Sequence, residues 1–180
     1  MKKVFCLTSL IFIISCGNNS NQKPLPVPSS KTSDGKTILL GKINRVNLEN
    51  SEYTKWFDKE YDRYNVNQEW VESVKNLFKN ISIKLFMGTW CEDSEREVPV
   101  IFKILDAVNF DQKKIEIYAM SEEKTTPDNF ENGLSIIKVP TLIFYKNGKE
   151  LNRFVEFPIN SLEEDIKKIL GGEKYHHAYY

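Results

Sequence analysis

The stretch Met87–Gly88–Thr89–Trp90–Cys91–Glu92–Asp93–Ser94 closes an apolar run and opens a helical pattern. A thiol at such a junction faces the unpaired N–H groups of the first helical turn and the positive end of the helix dipole. Both favour the thiolate, the nucleophilic form of cysteine. The neighbouring charges act in the opposite sense. Glu92, Asp93, Glu95 and Glu97 surround a single Arg96, four negative charges against one positive, and fixed negative charge disfavours a second anion. The same carboxylates suit a helix N-terminus, so helix stabilisation is their plainer role. Ser94 can hydrogen-bond the Cys91 sulfur through its hydroxyl or its N–H, but it cannot close a disulfide. Free cysteines are commonly buried and inert. The position after Trp90, where a strand gives way to a helix, favours an exposed and reactive Cys91.

Other chemistry is thinly represented. His176 and His177 lie in an aromatic tail with Tyr175, Tyr179 and Tyr180. Two adjacent histidines do not make a metal site, which takes three or four converging ligands, and no Cys/His spacing elsewhere adds to them. No metal and no cofactor are expected. Glu122, Glu123 and Lys124 read as a solvated turn. Lys+Arg and Asp+Glu both number 25, for a formal net charge of zero. Without a basic cluster in the sequence, nucleic acid is not an expected partner. Hydrophobic residues make up 41% and charged residues 28%, the profile of an ordinary globular domain. Three cysteines cannot support a disulfide scaffold.

The chain opens with Lys2 and Lys3, continues through an apolar stretch from Val4 to Ile14, and reaches Ser15–Cys16–Gly17. A basic start, a short apolar core and small residues after it form a secretory signal. Ile13–Ile14–Ser15–Cys16 resembles the lipobox of a bacterial lipoprotein. That resemblance implies removal of residues 1–15 and lipidation of Cys16. Cys6 would leave with the signal, and Cys91 would remain as the one free thiol. Residues 16–36 carry Pro24, Pro26 and Pro28 and few apolar side chains, and read as a flexible tether.

The elements that must position Cys91 follow from hydrophobic spacing. Thr37 to Leu48 is expected as a strand. Tyr53, Trp56, Phe57, Tyr61 and Tyr64 form one helical stripe, and Trp70, Val71, Val74, Leu77 and Phe78 a second, separated at Asn65–Val66–Asn67. Such aromatic stripes are core-facing. Ile81 to Met87 reads as a central strand. A helix from Glu92 to about Val108 contains Pro99, which removes a donor and kinks it. Lys114 to Met120 is a strand. Residues 121 to 138 read as loop, with one short helix near Pro127 to Asn132. Asn147–Gly148 joins the β runs Thr141–Tyr145 and Glu150–Phe157 as a hairpin. The last helix starts at Ser161, which forms a capping box with Glu164, and Gly171 follows it as the C-cap. The fold class is α/β, a sandwich with a mixed central sheet. The domain spans 37–171, with an aromatic, His-containing tail at 172–180.

From Ile38 to Leu170 the chain resembles the thioredoxin-like family. Trp90–Cys91 stands where the family has Trp-Cys at the start of its active-site helix. Pro99 matches the helix-kinking proline, and Val139–Pro140–Thr141 matches the cis-proline loop. The resemblance implies a three-layer sandwich of sheet flanked by helices. It also implies that the backbone beside Pro140 pairs with a substrate strand near Cys91. The family pattern Cys-x-x-Cys is here Cys91–Glu92–Asp93–Ser94. The buried Asp that the family's reductases carry six residues before the cysteine is here Leu85.

Two functions are therefore in view. One is a lipid-anchored thioredoxin-like protein of the bacterial envelope, facing the periplasm, that uses Cys91 alone for monothiol thiol–disulfide exchange. Its partners would be proteins with free or disulfide-bonded cysteines, an external thiol donor, and the membrane through lipid on Cys16. Trp90, Ser94, Val139, Pro140 and Thr141 would support Cys91. The other is a redox-inactive binding module that recognises extended protein segments. A sensor dimerising through Cys91 is a third outcome.

Overall fold

The computed structural model describes residues 22–49 and 52–180 of the chain. The expected signal and the lipidation site at Cys16 lie outside the described residues. A five-stranded mixed sheet is the frame. It is built from β3 (Gly41–Ile43), β4 (Ile81–Met87), β5 (Ile115–Ala119), β6 (Thr141–Lys146) and β7 (Lys149–Val155), in the order β3-β5-β4-β6-β7. β4 and β5 run parallel, and every other pairing is antiparallel. A separate hairpin pairs β1 (Ser29–Lys31) with β2 (Thr37–Leu39). The helices are α1 (Arg45–Glu49), α2 (Thr54–Arg63), α3 (Gln68–Val74), α4 (Glu92–Ala107) and α5 (Leu162–Gly171).

Side chains alternate across the sheet, as the two-residue period of a strand requires. Ile81, Ile83, Leu85 and Met87 of β4 join Leu142, Phe144 and Phe154 on one face. They pack there with Phe57 of α2, Phe102 and Leu105 of α4, and Ile166 and Ile169 of α5. Phe86, Tyr118 and Ile143 form the second face, with Met120 and Val139 beside them. Phe130, Leu134 and Ile136 cover part of it. The cover on that face is a run of turns through residues 121–138; no helix forms near Pro127. Lys124, Asn129, Gly133 and Ser135 all hold positive φ there, which repeatedly breaks helical continuation. Tyr118 and Phe130 rings lie 4.6 Å apart, and the Arg153 guanidinium donates to the Leu134 carbonyl at 2.6 Å.

The α/β class, the first aromatic-stripe helix, the central strand and the Asn147–Gly148 hairpin match expectation, whereas α3 stops at Val74 and leaves Leu77 and Phe78 of the second stripe in turns. Both hairpin residues have positive φ, as a type I′ turn demands. Other segments also differ. The single strand expected over 37–48 is divided into β2, β3 and α1. Gly41 takes φ +85°, so β2 turns away to pair with β1 while β3 joins the sheet. Residues 22–36 are not a free tether. The Asn47 side chain accepts the Leu25 N–H at 3.1 Å and donates to the Leu25 carbonyl at 2.9 Å, standing in for a strand neighbour. Asn44 donates to the Lys23 carbonyl at 2.8 Å, and Val27 packs on the main core. The C-terminal tail is also docked: Tyr175 is buried, and its hydroxyl donates to the buried Asp165 at 3.1 Å. Finally α5 runs one residue past expectation, and Gly172, in the left-handed region, is its cap.

Candidate active site

The top of β4 delivers the chain to Gly88, Thr89 and Trp90 before α4 begins. Cys91 is the N-cap residue of α4, in extended conformation, with Glu92, Asp93 and Glu95 in the first turn. It is half-buried, the free cysteine among the described residues. Its backbone carbonyl accepts the Glu95 N–H at 2.9 Å, which fixes the sulfur at the mouth of the helix.

Trp90 is locked by a long-range contact. Its indole N–H donates to the Met120 carbonyl at 2.8 Å. Gly88 makes room for that ring: a Cβ there would fall 2.6 Å from two indole atoms. Thr89 is fully buried and its hydroxyl oxygen accepts the Leu39 N–H at 3.1 Å, joining the loop to β2. None of these partners is visible in local spacing.

The Val139–Pro140 peptide is cis. It brings the Val139 carbonyl to 3.3 Å from Cys91 Sγ, which donates to it. Thr141 is buried, and its hydroxyl donates to the Lys138 carbonyl at 2.7 Å, bracing the turn from below. On the outer side the Glu156 N–H donates to the Pro140 carbonyl at 2.8 Å. Lys138 pairs with Glu156 at 3.2 Å, the Tyr179 hydroxyl donates to Glu156, and the Lys138 ammonium sits 5.0 Å above the Tyr179 ring. The C-terminal tail thus reaches the flank of the proline loop, a role for Tyr179 that its position in sequence does not signal.

Trp90, Cys91, Val139, Pro140 and Thr141 are brought together as expected. Ser94 is close in sequence but engaged elsewhere. It has no exposed surface, and its oxygen accepts the Gly88 N–H at 3.2 Å. Ser94 therefore ties α4 to the end of β4, while the sulfur is held by Val139. Leu85 is fully buried in the main core, so no carboxylate replaces the family's aspartate there.

The charge around the thiol is more balanced than the local sequence suggests. Asp93 pairs with Arg96 at 2.6 Å and Glu97 pairs with the same guanidinium at 2.7 Å. Glu95 pairs with Lys36 at 2.6 Å, from 59 residues away. Glu92 makes no ion pair among the described residues. Burial pushes the Glu97 carboxyl above its usual range, against the pull of Arg96. Burial and the Glu116 carboxylate push Tyr118, on the second sheet face, up to about 12.

No group of His, Cys, Asp and Glu among the described residues is arranged to hold a metal ion. Two surface hollows, of about 340 and 480 Å³, are lined by residues remote from Cys91. The ground beside Cys91 is an edge of backbone, with Val139 on one side and Trp90 on the other. Such an edge suits an extended polypeptide, whose main chain can pair with it.

A family model described as thioredoxin matches residues 44–167. Thioredoxin Y, chloroplastic, of Oryza sativa subsp. japonica is 31% identical over 86 residues, 47% of this chain and 48% of the relative. The chain thus spans about half the length of that curated relative. Among solved structures, Fasciola hepatica thioredoxin is 16% identical, with 57% of this chain and 89% of that chain covered and a TM-score of 0.38. Thioredoxin from Aeropyrum pernix is 18% identical, with 61% and 89% covered and a TM-score of 0.37.

Proposed function

The chain belongs to the thioredoxin family, and from that premise we propose that it carries out thiol–disulfide exchange with Cys91 as its sole nucleophile. In the reaction, the Cys91 thiolate attacks one sulfur of a client disulfide. A bond forms between Cys91 and that sulfur, and the other client sulfur leaves as a thiolate. A second thiol must then attack the mixed disulfide and release Cys91. If that thiol belongs to the client, its disulfides are rearranged without net redox change. If it belongs to an external dithiol donor, its first thiol displaces Cys91 to give a donor–client disulfide, and its second thiol displaces the client sulfur, leaving the client reduced and the two donor sulfurs joined.

The observation that carries this reading is the contact between Cys91 Sγ and the Val139 carbonyl beside the cis Val139–Pro140 bond. A client strand pairing with residue 139 would bring its own sulfur against Cys91. Ser94 in place of a second cysteine supports the monothiol course. The lipobox-like Ile13–Ile14–Ser15–Cys16 supports anchoring in a bacterial envelope, with the domain in the periplasm.

A second reading, a redox-silent module that binds extended segments through the same groove, draws on Ser94 and on the buried Leu85. One experiment separates the two. The intact protein and its Cys91→Ser variant are used to capture partners from an envelope extract, followed by reducing and non-reducing gels. Exchange predicts dithiothreitol-sensitive adducts with the native chain and none with Cys91→Ser. Identical, reductant-insensitive capture by both proteins would leave the binding module standing.

A further inference from the structure

The sheet has two unlike ends. β4 runs from Ile81 to Met87 toward Cys91, a rise of roughly 20 Å. At its far end lysines gather from four strand termini. Lys79 precedes β4, Lys113 and Lys114 precede β5, Lys146 closes β6 and Lys149 opens β7. The registers place them together: Ile81 pairs with Lys146, Lys146 with Lys149, and Ile83 with Ile115. Lys113 and Lys114 line one hollow together with Lys84 and Gly148 of the hairpin turn. All five terminal lysines are exposed, and none makes an ion pair among the described residues. The nearby acids are otherwise engaged. Glu116 pairs with Lys42, Glu150 with Arg153, and Asp111 caps the backbone at Lys113. The net charge of zero therefore hides a polar distribution, with cations at this end and the Glu92–Glu97 carboxylates at the other.

The chain also approaches from the cationic end. β3 runs antiparallel to β5, so Asn44, just beyond Ile43, lies toward the start of β5. Asn44 holds the Lys23 carbonyl, which puts the exposed Lys23 on the same side. Five residues of sequence lie between Cys16 and Gln22, a span of at most ~20 Å.

We propose that this lysine-bearing end of the sheet docks on an anionic membrane surface, with Cys91 turned away from the bilayer. Unpaired lysines attract anionic headgroups within a Debye length, and the negative charge that remains around Cys91 once Arg96 and Lys36 are counted is repelled by the same surface. The two effects orient the domain together. A basic patch commonly adds electrostatic attraction to a lipid anchor and sets how the attached domain faces the surface. The lysine end supplies that attraction where the chain leads toward Cys16.

The test is vesicle co-sedimentation of the full chain, comparing phosphatidylcholine vesicles with vesicles containing about one third phosphatidylserine at about 0.1 M salt. Zwitterionic vesicles account for any binding by the apolar leader. The expected result is about tenfold or greater preference for the anionic vesicles, lost at about 1 M salt. A variant carrying Lys113→Gln, Lys114→Gln, Lys146→Gln and Lys149→Gln, with an unchanged circular dichroism spectrum, should lose the preference. Lys36→Gln, at the Cys91 end, should keep it. Equal binding to both vesicle types, or a preference that survives the fourfold variant, overturns the docking surface. So does retention by duplex DNA at the same salt without vesicle preference. Orientation is read from alkylation of Cys91 by peptide mass: an unchanged rate on vesicles supports it, and protection overturns it. Cys91→Ser should bind vesicles like the native chain, so this proposal and the exchange reaction stand or fall separately.

Discussion

Glu97 shows how a single side chain on α4 can be set against itself. It lies on the buried face, pairs with Arg96, and feels the like charges of Asp93 and Glu60. Burial outweighs the guanidinium and holds its carboxyl above the ordinary value of 4.5. Between the ordinary value and the raised one, the native state binds more protons than the unfolded chain. Stability must therefore fall as pH rises from 4.5 through the raised value. Glu97→Gln removes the titration. Urea denaturation at several pH values should show a decline across this range in the native protein and a flatter profile in the variant. Parallel profiles would mean that Arg96 fully offsets the burial. Glu97 is also a case where sequence marks the residue but not its environment. Its membership in an acidic run is evident, whereas its contact with α2 depends on how α2 packs against α4.

Among the elements, the regular ones were legible because each carries its own signal. The Asn147–Gly148 turn, the Ser161 cap and the alternating β4 residues need no distant partner to be recognised. The β1–β2 hairpin has its Asp34–Gly35 turn but no alternating apolar flanks to mark it, and the docking of residues 22–28 has no local signal. Pro24, Pro26 and Pro28 cannot donate in a ladder, and the segment's partners come from Asn44 and Asn47, about twenty residues on. Asn47 is buried and uses its amide both ways. Replacing it with alanine strands the Leu25 and Asn44 N–H groups. A loss of about 1–3 kcal/mol is expected in chemical denaturation. Limited proteolysis should then cut within residues 22–28 faster than in the native chain. Unchanged cleavage would mean that Val27 packing alone holds the segment.

For the molecule as a whole, the two faces of the sheet are covered by different means. Helices cover one face, and the turns of residues 121–138 cover part of the other. The latter are held by local bonds such as Asn129 N–H to Thr126 carbonyl and Leu134 N–H to Glu131 carbonyl, not by a continuous ladder. Hydrogen exchange in residues 121–138 should run about tenfold or more faster than in β4 and β6, since local opening requires no strand separation. Equal protection across both regions would show that the cover and the sheet open as one unit. The segment adjoins the active site through Met120, which holds Trp90, and through Lys138, so its openings are felt at Cys91. The overall α/β plan was readable from local patterns, whereas the gathering of Trp90, Cys91 and Pro140 was implied only by the resemblance to a family. The segregation of charge to opposite ends was not readable, since it arises only when strand termini distant in sequence are aligned by register.

The Asn47 clamp has a mechanical meaning as well. A pull applied ahead of Gln22 reaches the Leu25 bonds and the Asn44–Lys23 bond before it loads any strand of the main sheet. Those few bonds would give way first and lengthen the leash, relieving the load while the frame around Cys91 keeps its shape.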